Sequence, residues 1–517
     1  MKPIKKTIWS LSLLLPLFTA CNDWLDVTSK TEIPSDTHFS SETGFKDAVI
    51  GVYVKMSKPE MYGKTWTWHV NEFVSQNYAR VSAAPDLNVL DLLYENSPFV
   101  SYRNSIWKNG YKTIANINNI LNYEEKNRSV IAPVVDSLVR GELLGLRALV
   151  HFDLLRMFGK GNLGGRPELL HMPAIPYSLD FNKYAPVQVS YEQFFAYLRQ
   201  DIEEAISYLY VDPITGREKV DYYLPYTDQS FLATDDYNNG VIDRRFRMNY
   251  YAAQALYARI LMWEGTPEAK SKALTIAEDL IANANYYWAS ESAVIVKNNE
   301  WWKCDLLFRN EHLFTMAVEK LAEYQTHTQG TRNWFDASSP GNTYQVCYLT
   351  QAKAEEIYET PGVGDTDWRY VYCLLPQGSS LNNYGIVKLR QHTEQTTDYS
   401  RMVPMIRITE MFYIAAECRM EAGADYDKAK ALDYLNTVRQ HRGIALGEQL
   451  PESLTDEQVK EEIYKEYRKE FVGEGQIFFY YKRKGLETIP GYNGEMTDLQ
   501  YQYPMPNDEI ALGGRVE

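Results

Sequence analysis

Hydrophobic residues recur at helical spacing along much of the chain, and this pattern predicts a mostly α-helical protein. One such stripe, in segment 42–56, consists of Phe45, Ala48, Val49, Val52 and Met56. These positions follow the 3.6-residue period of a helix that buries one face. The same spacing predicts three further helices in the first half of the chain, at 103–122, 136–158 and 191–209. Segment 136–158 is apolar on most sides, which predicts a fully buried helix.

Two pairs of neighbouring helices are predicted in the second half of the chain. The first pair is 248–263 with 268–284, and the second is 407–422 with 426–440. Small residues at four-residue steps let paired helices pack closely, as in tetratricopeptide repeats, although any antiparallel helix pair fits the same pattern. A last helix is predicted at 456–471.

Four long stretches lack a clear period: 60–100, 160–190, 210–247 and 285–405. Long loops inside a compact protein are usually functional. The tryptophans of the last stretch are Trp288, Trp301, Trp302, Trp334 and Trp368. We therefore expect a helical scaffold that carries a loop-rich, tryptophan-rich region.

The first 21 residues have the pattern of a bacterial lipoprotein signal. Three lysines precede the apolar run 8–18, and Thr19-Ala20-Cys21 follows it. The run is shorter than the roughly 20 apolar residues that a helix needs to span a bilayer. We expect a signal peptide over residues 1–20 and lipidation of Cys21, with a plain secretory signal as the alternative. Residues 21–37 would then form a polar tether.

The net charge argues against nucleic acid as a partner, and the cysteine spacing gives no sign of a metal site. The formal net charge is −15 at pH 7, and an acidic chain without a basic run repels nucleic acid. The remaining cysteines, none with metal-type spacing, are Cys304, Cys347, Cys373 and Cys418. An exported protein can form disulfides, but a chain of this length can build a core without them. We therefore expect most of these cysteines to be buried thiols.

No catalytic motif stands out. Residues 159–164 fit G-x-G-x-x-G, but a predicted helix precedes them, whereas a dinucleotide site needs a strand there. Asp235, Asn239 and Gly240 partly fit a calcium loop, yet a tyrosine occupies a ligand position, so we interpret the segment as a turn. Acidic residues are plentiful, so an all-helical glycoside hydrolase with two catalytic carboxylates is the enzymatic alternative.

Several segments resemble the RagB/SusD family in their order and spacing. The N-terminal ones are Arg140-Gly141-Glu142, Leu146-Arg147-Ala148, Phe152-Asp153-Leu154, Phe158-Gly159 and Ala174-Ile175-Pro176-Tyr177. The C-terminal ones are Tyr434-Leu435-Asn436, Val438-Arg439, Arg442-Gly443, Tyr467-Arg468-Lys469-Glu470-Phe471, Glu474-Gly475-Gln476, Tyr503-Pro504-Met505-Pro506 and Glu509-Ile510. Phe479-Tyr480-Tyr481 departs from the pattern, because the family often has an aspartate after the aromatic residues. The likeness spans nearly all of the chain after Cys21.

The resemblance implies a scaffold of repeat-type helix pairs, with an N-terminal region at 38–230 and a C-terminal region at 231–517 packed as one unit. It implies an outer-membrane lipoprotein, facing the cell surface, that binds a nutrient and delivers it to a TonB-dependent transporter of the SusC type. The expected ligand is a glycan, with a peptide as the alternative. A pure protein scaffold is less favoured, and we expect no enzymatic activity, catalytic residue, cofactor or metal.

Two loops combine aromatic rings with polar side chains, which is the mixture that a glycan needs. The apolar faces of sugar rings lie flat on tryptophan and tyrosine, while sugar hydroxyls bond to amide, acid and guanidinium groups. The predicted ligand-binding residues are Trp66, Trp68, Asn77, Tyr78, Arg80, Trp301, Trp302 and Trp334. The alternative for each tryptophan is a structural place in the core.

Overall fold

The computed structural model describes residues 35–80, 87–216, 242–326, 333–336, 347–377, 382–395 and 400–516. The predicted signal peptide, the lipidation site Cys21 and most of the tether lie outside the described residues, as does the calcium-like segment 235–240. The last three tether residues are not extended, because they belong to a short helix, Ser35–His38. This helix leads into Phe39, whose buried ring stacks on Tyr123 at a centroid distance of 4.5 Å.

Long helices build most of the protein, as the periodicity predicts. Among the described residues, those of eight or more residues are α1 (Glu42–Met56), α2 (Phe99–Asn127), α3 (Pro133–Phe158), α4 (Tyr191–Tyr208), α5 (Tyr250–Glu264), α6 (Pro267–Asn283), α7 (Gln351–Tyr358), α8 (Ile408–Arg419), α9 (Lys428–Gln440), α10 (Asp456–Phe471) and α11 (Ile477–Lys484). Every helix predicted from spacing is confirmed, and α7 and α11 were not predicted. None of the helices in the described ranges is long and apolar enough to cross a membrane.

Successive helices pack side by side in a repeat-like array. α2 packs on α3, α3 on α4, α4 on α5, α5 on α6, α6 on α8 and α8 on α9. Buried alanines such as Ala255 and Ala273 let the helices approach closely. α5 ends at Gly265, which has a φ of +73° and faces Gly164 so closely that a Cβ would lie 3.0 Å from its Cα. The predicted tetratricopeptide-like helix pairs are therefore confirmed.

Short helices of four or five residues connect these elements. They are Ser35–His38, Val70–Phe73, Leu87–Leu90, Ile242–Arg245, Glu291–Val294, Leu321–Tyr324, Trp368–Val371, Asp498–Tyr501 and Asn507–Ala511. Most lie in the stretches where the sequence shows no clear period.

Those stretches also contain short strands that the sequence pattern did not predict. β1 (Pro173–Pro176) pairs antiparallel with β2 (Gln188–Ser190), and β3 (His312–Ala317) pairs antiparallel with β7 (Met402–Arg407). A three-stranded sheet has the order β4 (Tyr348–Thr350), β6 (Asn383–Ile386) and β5 (Leu374–Gln377). Strands of three to six residues are too short to show a clear alternation of apolar and polar residues. In β3 and β7 nearly every residue is buried, so their sequences do not alternate at all.

A buried network of ion pairs joins the C-terminal elements. Glu470 receives hydrogen bonds from Arg442, Arg407 and Arg369, and Arg442 also pairs with Glu311 at 2.5 Å. Burial alone would raise the pKa of Glu470, but the three guanidinium groups hold it well below its usual range. Arg442 and Glu470 belong to the segments that resemble a known family. These segments therefore contribute the buried ion pairs that join the C-terminal elements.

Among the described residues, the four cysteines after Cys21 form no disulfide. Cys347, Cys373 and Cys418 are buried, and Cys304 is partly exposed. The prediction of mostly buried thiols is therefore confirmed. Burial raises the pKa of the Cys373 thiol to about 12, so this thiol is protonated at neutral pH.

Candidate functional site

The two predicted aromatic loops meet in the structure. The ring of Trp68 contacts Phe335 at a centroid distance of 5.2 Å, and Trp334 meets the His69 ring edge-on at 4.7 Å. One residue further along, Asp336 lies 3.9 Å from the guanidinium of Arg390. We call residues 66–80, 301–302, 333–336 and 390–392 together the aromatic region.

Arg390 connects this cluster to the second pair of predicted tryptophans. Its guanidinium carbon lies 5.6 Å from the ring centroid of Trp301. Trp301 and Trp302 occupy one helical turn, Trp301–Lys303, and their rings are perpendicular at 5.7 Å. Loops that are more than 200 residues apart in sequence therefore form one continuous region.

Local turns hold the first loop in place. The N–H of Trp66 donates to the carbonyl of Met61 at 3.0 Å, and the side-chain amide of Asn71 donates to the carbonyl of Trp66 at 2.8 Å. The indole of Trp68 donates to the carbonyl of Gly63 at 3.1 Å. These bonds turn the indole rings inward, toward the core.

Most of the predicted ligand-binding side chains are therefore core residues in this structure. Those buried are Trp66, Trp68, Asn77, Tyr78, Trp301 and Trp334. These side chains are buried against other residues, so they stabilise the region rather than line its surface. Their predicted contact with a ligand stays a prediction, and it requires the loops to rearrange.

Trp302 and Arg80 are the predicted residues that reach the surface. Trp302 is partly exposed and stacks on His392, with 4.0 Å between ring centroids and 10° between ring planes. Arg80 is exposed and forms an ion pair with Asp91, and it also donates to the carbonyl of Leu90 at 3.1 Å. Trp302 thus provides a flat aromatic surface, and Arg80 provides a guanidinium elsewhere in the region.

A groove of about 700 Å³ adjoins the aromatic region. Tyr324, on the groove wall, is followed by Gln325, whose carbonyl accepts the N–H of Trp334 at 2.7 Å. Arg401 also lines the groove, and its N–H donates to the side-chain oxygen of Gln391 at 2.8 Å. The apolar lining residues are Ile50, Tyr53, Val54, Phe246, Ala317, Val318, Tyr324 and Met402.

The charged side chains of the groove are mostly cationic, although the chain is acidic. They are Lys58, Arg247, Lys320, Arg401 and a single carboxylate, Glu319. Glu319 pairs with Arg401 at 2.7 Å, and both side chains are exposed. Exposed ion pairs of this kind contribute roughly 0–1 kcal/mol, so a ligand group can replace either partner at little cost.

Sequence reasoning missed this groove for a physical reason. It is built from α1, from residues next to Phe246, from the segment around Val318–Tyr324 and from the start of β7. Each piece contributes only a few side chains, and only the packing of helices against β3 and β7 brings them together. No local pattern marks any of these pieces as part of a site.

One buried carboxyl group lies beneath the aromatic region. Glu72, in the short helix Val70–Phe73, accepts the N–H of Gly475 at 2.8 Å. Burial raises the pKa of Glu72 to about 7, although hydrogen bonds from the Gly473 and Gly475 backbone oppose the shift. This carboxyl group is inside the core and links the loop to the C-terminal region.

The chemistry of the groove suits binding. Glycoside hydrolysis needs two carboxyl groups on either side of a bond, whereas Glu319 is the one carboxylate that lines the groove as the structure describes it. Within the described ranges, no group of three His, Cys, Asp or Glu side chains is placed to hold a metal ion. Apolar walls, tyrosine rings and exposed cations fit a ligand with ring faces and polar substituents.

Two family models match the chain. The model described as SusD family matches residues 324–512, and the model described as starch-binding associating with outer membrane matches residues 23–213. No curated protein matches the chain.

Solved structures resemble the chain along nearly its whole length. A SusD superfamily protein from Bacteroides vulgatus has a TM-score of 0.67 and 21% identity, over 92% of this chain and 98% of that one. A SusD-like carbohydrate binding protein from the same species has 0.64 and 14%, over 91% and 96%. Surface glycan-binding protein A from Bacteroides thetaiotaomicron has 0.62 and 16%, over 93% and 99%. At these identities the likeness shows a shared fold.

Proposed function

This chain belongs to the SusD/RagB family, and from that membership we propose that it captures a glycan at the cell surface for import. In this proposal the chain is an outer-membrane lipoprotein, anchored through Cys21 and facing outward. It binds the glycan and passes it to a TonB-dependent transporter of the SusC type. A peptide is the alternative ligand.

The observation that supports binding best is the stacked pair of Trp302 and His392; His392 follows Gln391, the residue whose side chain accepts the N–H of groove residue Arg401. His392 covers one face of the indole and holds the ring in place, and the partly exposed Trp302 is the ring on which we propose that a sugar packs. The groove supplies tyrosine rings and exposed cations to which a longer ligand could also bind. Binding of this kind needs no covalent step, and release for import favours moderate affinity.

A binding screen tests the ligand class directly. The soluble chain, without residues 1–21, would be titrated by calorimetry with starch-derived and other oligosaccharides and with a matched set of peptides. We expect at least one oligosaccharide to bind with a measurable heat of binding. We expect the oligosaccharide to remain uncleaved. Binding to peptides alone would favour the alternative, and cleavage of the oligosaccharide would contradict a purely binding role.

The anchor and the orientation need separate tests. Cys21→Ala should release the protein from outer-membrane fractions, because a lipidated cysteine is the proposed attachment. Asp23 and Asp26 follow the cysteine and support export to the surface. Protease added to intact cells should therefore digest the parent protein, and full protection would contradict the outward orientation.

The partner is tested by co-expression. The tagged lipoprotein, expressed in its native cells and solubilised in mild detergent, should co-purify with a TonB-dependent transporter. An absence of the transporter from the purified lipoprotein would contradict delivery by direct contact.

A further inference from the structure

A small crevice adjoins the ligand groove. Phe246 and Met402 line both cavities, so a ligand that fills the groove lies next to the crevice. The crevice has a volume of about 20 Å³, which is room for one group of the size of a water molecule. A single oxygen atom of a ligand substituent has this size. Among the described residues no carboxylate lines the crevice, and its other lining side chains are Arg245, Arg309, Asn310, His312 and Thr315.

Arg245 lines the crevice with a buried guanidinium group. The residue is 5% exposed. Its guanidinium donates to the carbonyl of Asn285 at 3.2 Å and to the side-chain oxygen of Asn310 at 3.4 Å. Its Nε is also buried and has no acceptor among the described residues. Neutral acceptors therefore hold the guanidinium in place and leave its charge uncompensated.

The neighbouring arginines differ from Arg245 in having carboxylate partners. Arg244 pairs with Glu142 at 2.6 Å and with Asp212 at 2.5 Å, and Arg247 pairs with Glu142 at 2.9 Å. These carboxylates outweigh the effect of burial and raise the pKa of Arg244. Every other buried arginine in the part of the chain that the structure describes forms an ion pair, whereas Arg245 forms none.

A second arginine adds positive charge to the crevice. Arg309 lines it together with Arg245, and burial and the charge of Arg309 lower the pKa of Arg245. Asp305 is a neighbour of Arg309, because its carboxylate accepts the backbone N–H of Arg309 at 3.1 Å, but it does not line the crevice. An anionic group in the crevice would therefore reduce repulsion between two cations as well as compensate a buried charge.

His312 contributes no charge to the crevice. Because a carbonyl only accepts, the Nε2 of His312 donates to Leu307 at 2.9 Å, and its Nδ1 accepts the hydroxyl of Thr315 at 2.7 Å. Burial and the charges of nearby arginines lower the pKa of His312 to about 3. The ring is neutral at physiological pH and both of its nitrogens are occupied, so guanidinium groups are what a ligand meets in the crevice.

The groove beside the crevice has the same bias toward cations. Lys58 is exposed there and forms no ion pair with any described residue. Glu319 is the one carboxylate that lines the groove as described, and it is paired with Arg401. The whole chain carries a formal net charge of −15. The excess of cations is therefore a local property of this site.

We infer that the ligand of the groove is an acidic glycan and that one of its carboxylate or sulfate groups enters the crevice against Arg245, an inference that rests on the proposed function. The planar guanidinium matches the geometry of oxyanions. An uncharged sugar hydroxyl would leave the buried charge of Arg245 uncompensated, which is costly. The crevice thus selects for the charge of the glycan, while the apolar walls of the groove contact its rings.

The test uses sugars that differ in one charged group, so it does not depend on the identity of the whole glycan. Glucuronate, glucose 6-sulfate and glucose are titrated onto the mature chain, residues 21–517 with Cys21→Ala, at one ionic strength, and binding is followed by saturation-transfer NMR. We expect at least one charged sugar to bind at least tenfold more tightly than glucose. Binding of only one of the two would identify the anionic group as a carboxylate or as a sulfate.

Variants of Arg245 assign the charge preference to the crevice. Arg245→Gln should weaken binding of the charged sugar at least tenfold, and Arg245→Lys should retain part of it because it keeps the cation. The glutamine variant should melt at or above the parental temperature, since no ion pair is lost. Arg199→Gln is the matched control and should bind as the parent does: Arg199 pairs with Glu264 at the end of α5, whereas Arg245 precedes its start, roughly 20 Å away.

Several results would overturn the inference. Equal binding of charged and uncharged sugars by the parent would do so without any variant, as would parental affinity in a folded Arg245→Gln chain. Binding of inorganic sulfate but of neither charged sugar would make the crevice an ion site only. Tighter binding of acetyl-alanyl-alanine, whose carboxylate is its only charge, would assign the crevice to peptides. If any of these results accompanies an oligosaccharide that binds in the calorimetric screen, the proposed function stands, whereas a screen without any bound oligosaccharide would remove both.

Discussion

Trp302 lies flat against His392, with 4.0 Å between the ring centroids and 10° between the ring planes. Neighbouring Trp301 is buried and meets both rings edge-on. Adjacent tryptophans therefore have different roles: Trp301 packs in the small core around Val294 and Leu306, while Trp302 remains partly exposed at the surface. The aromatic richness of the sequence thus divides into core packing and a surface platform.

Trp68→Ala should destabilise the protein, because Trp68 is a core residue. Its ring contacts Phe335 and its indole donates to Gly63, so truncation removes packing and leaves a cavity. We expect the free energy of unfolding to fall by about 3–5 kcal/mol, measured by urea denaturation of the soluble chain. A stability equal to that of the parent would mean that Trp68 is not packed as described. Trp68 would then again be a candidate ligand-binding residue.

Glu72→Gln should change how stability depends on pH. The pKa of Glu72 is about 7 in the folded protein against a usual value near 4.5, so the native state binds more protons than the unfolded state between these pH values. Stability therefore falls as pH rises from about 4.5 to 7, by up to roughly 3 kcal/mol from this group. Glutamine keeps an acceptor for the Gly475 N–H without the charge.

Urea denaturation at pH 4.5, 5.5, 6.5 and 7.5 measures this effect as a difference between variant and parent. The stability of the glutamine variant relative to the parent should increase steadily across the series. A constant difference would contradict the raised pKa, because the contributions of all other titrating groups cancel in the comparison.

Glu470→Gln should be strongly destabilising. The substitution removes the charge that Arg442, Arg407 and Arg369 share in the core, and an uncompensated buried charge costs about 3–5 kcal/mol. The depressed pKa of Glu470 means that this stabilisation is complete above the ordinary glutamate pKa of 4.5 and is lost as pH falls below it toward the folded pKa. Glu452→Gln, at an exposed position, is the control and should unfold as the parent does.

Tyr324→Ala should weaken ligand binding without unfolding the protein. Tyr324 lies on the groove wall and is partly buried, so its loss removes a contact surface at modest cost to packing. We expect the dissociation constant of the identified oligosaccharide to rise about fivefold, which corresponds to roughly 1 kcal/mol. Unchanged affinity would place the ligand outside the groove.

The helices of the scaffold could be predicted from the sequence because their buried residues recur at helical spacing. The stripe that starts at Phe45 is visible in the sequence and defines α1 in the structure. β3 and β7 were missed because buried strands do not alternate, so their residues look like any short apolar run. Local spacing therefore carries information on helices that bury one face and little on short, fully buried strands.

The site was harder to predict, because burial of a ring depends on residues that are far away in the chain. Trp68 is covered by Phe335, and Trp302 is covered on one face by His392. Sequence placed both tryptophans in loops with polar neighbours, and nothing nearby distinguishes them. Only the assembled fold separates the core ring from the surface ring.

The most direct test of the proposed binding site is calorimetric titration of Trp302→Ala with the oligosaccharide that the parent binds. Loss of a stacked interfacial ring costs about 2 kcal/mol, so the account predicts a dissociation constant about thirtyfold higher than the parent value, at an unchanged melting temperature. Affinity equal to that of the parent, in a variant that melts as the parent does, would contradict the account and place the ligand away from Trp302 and His392.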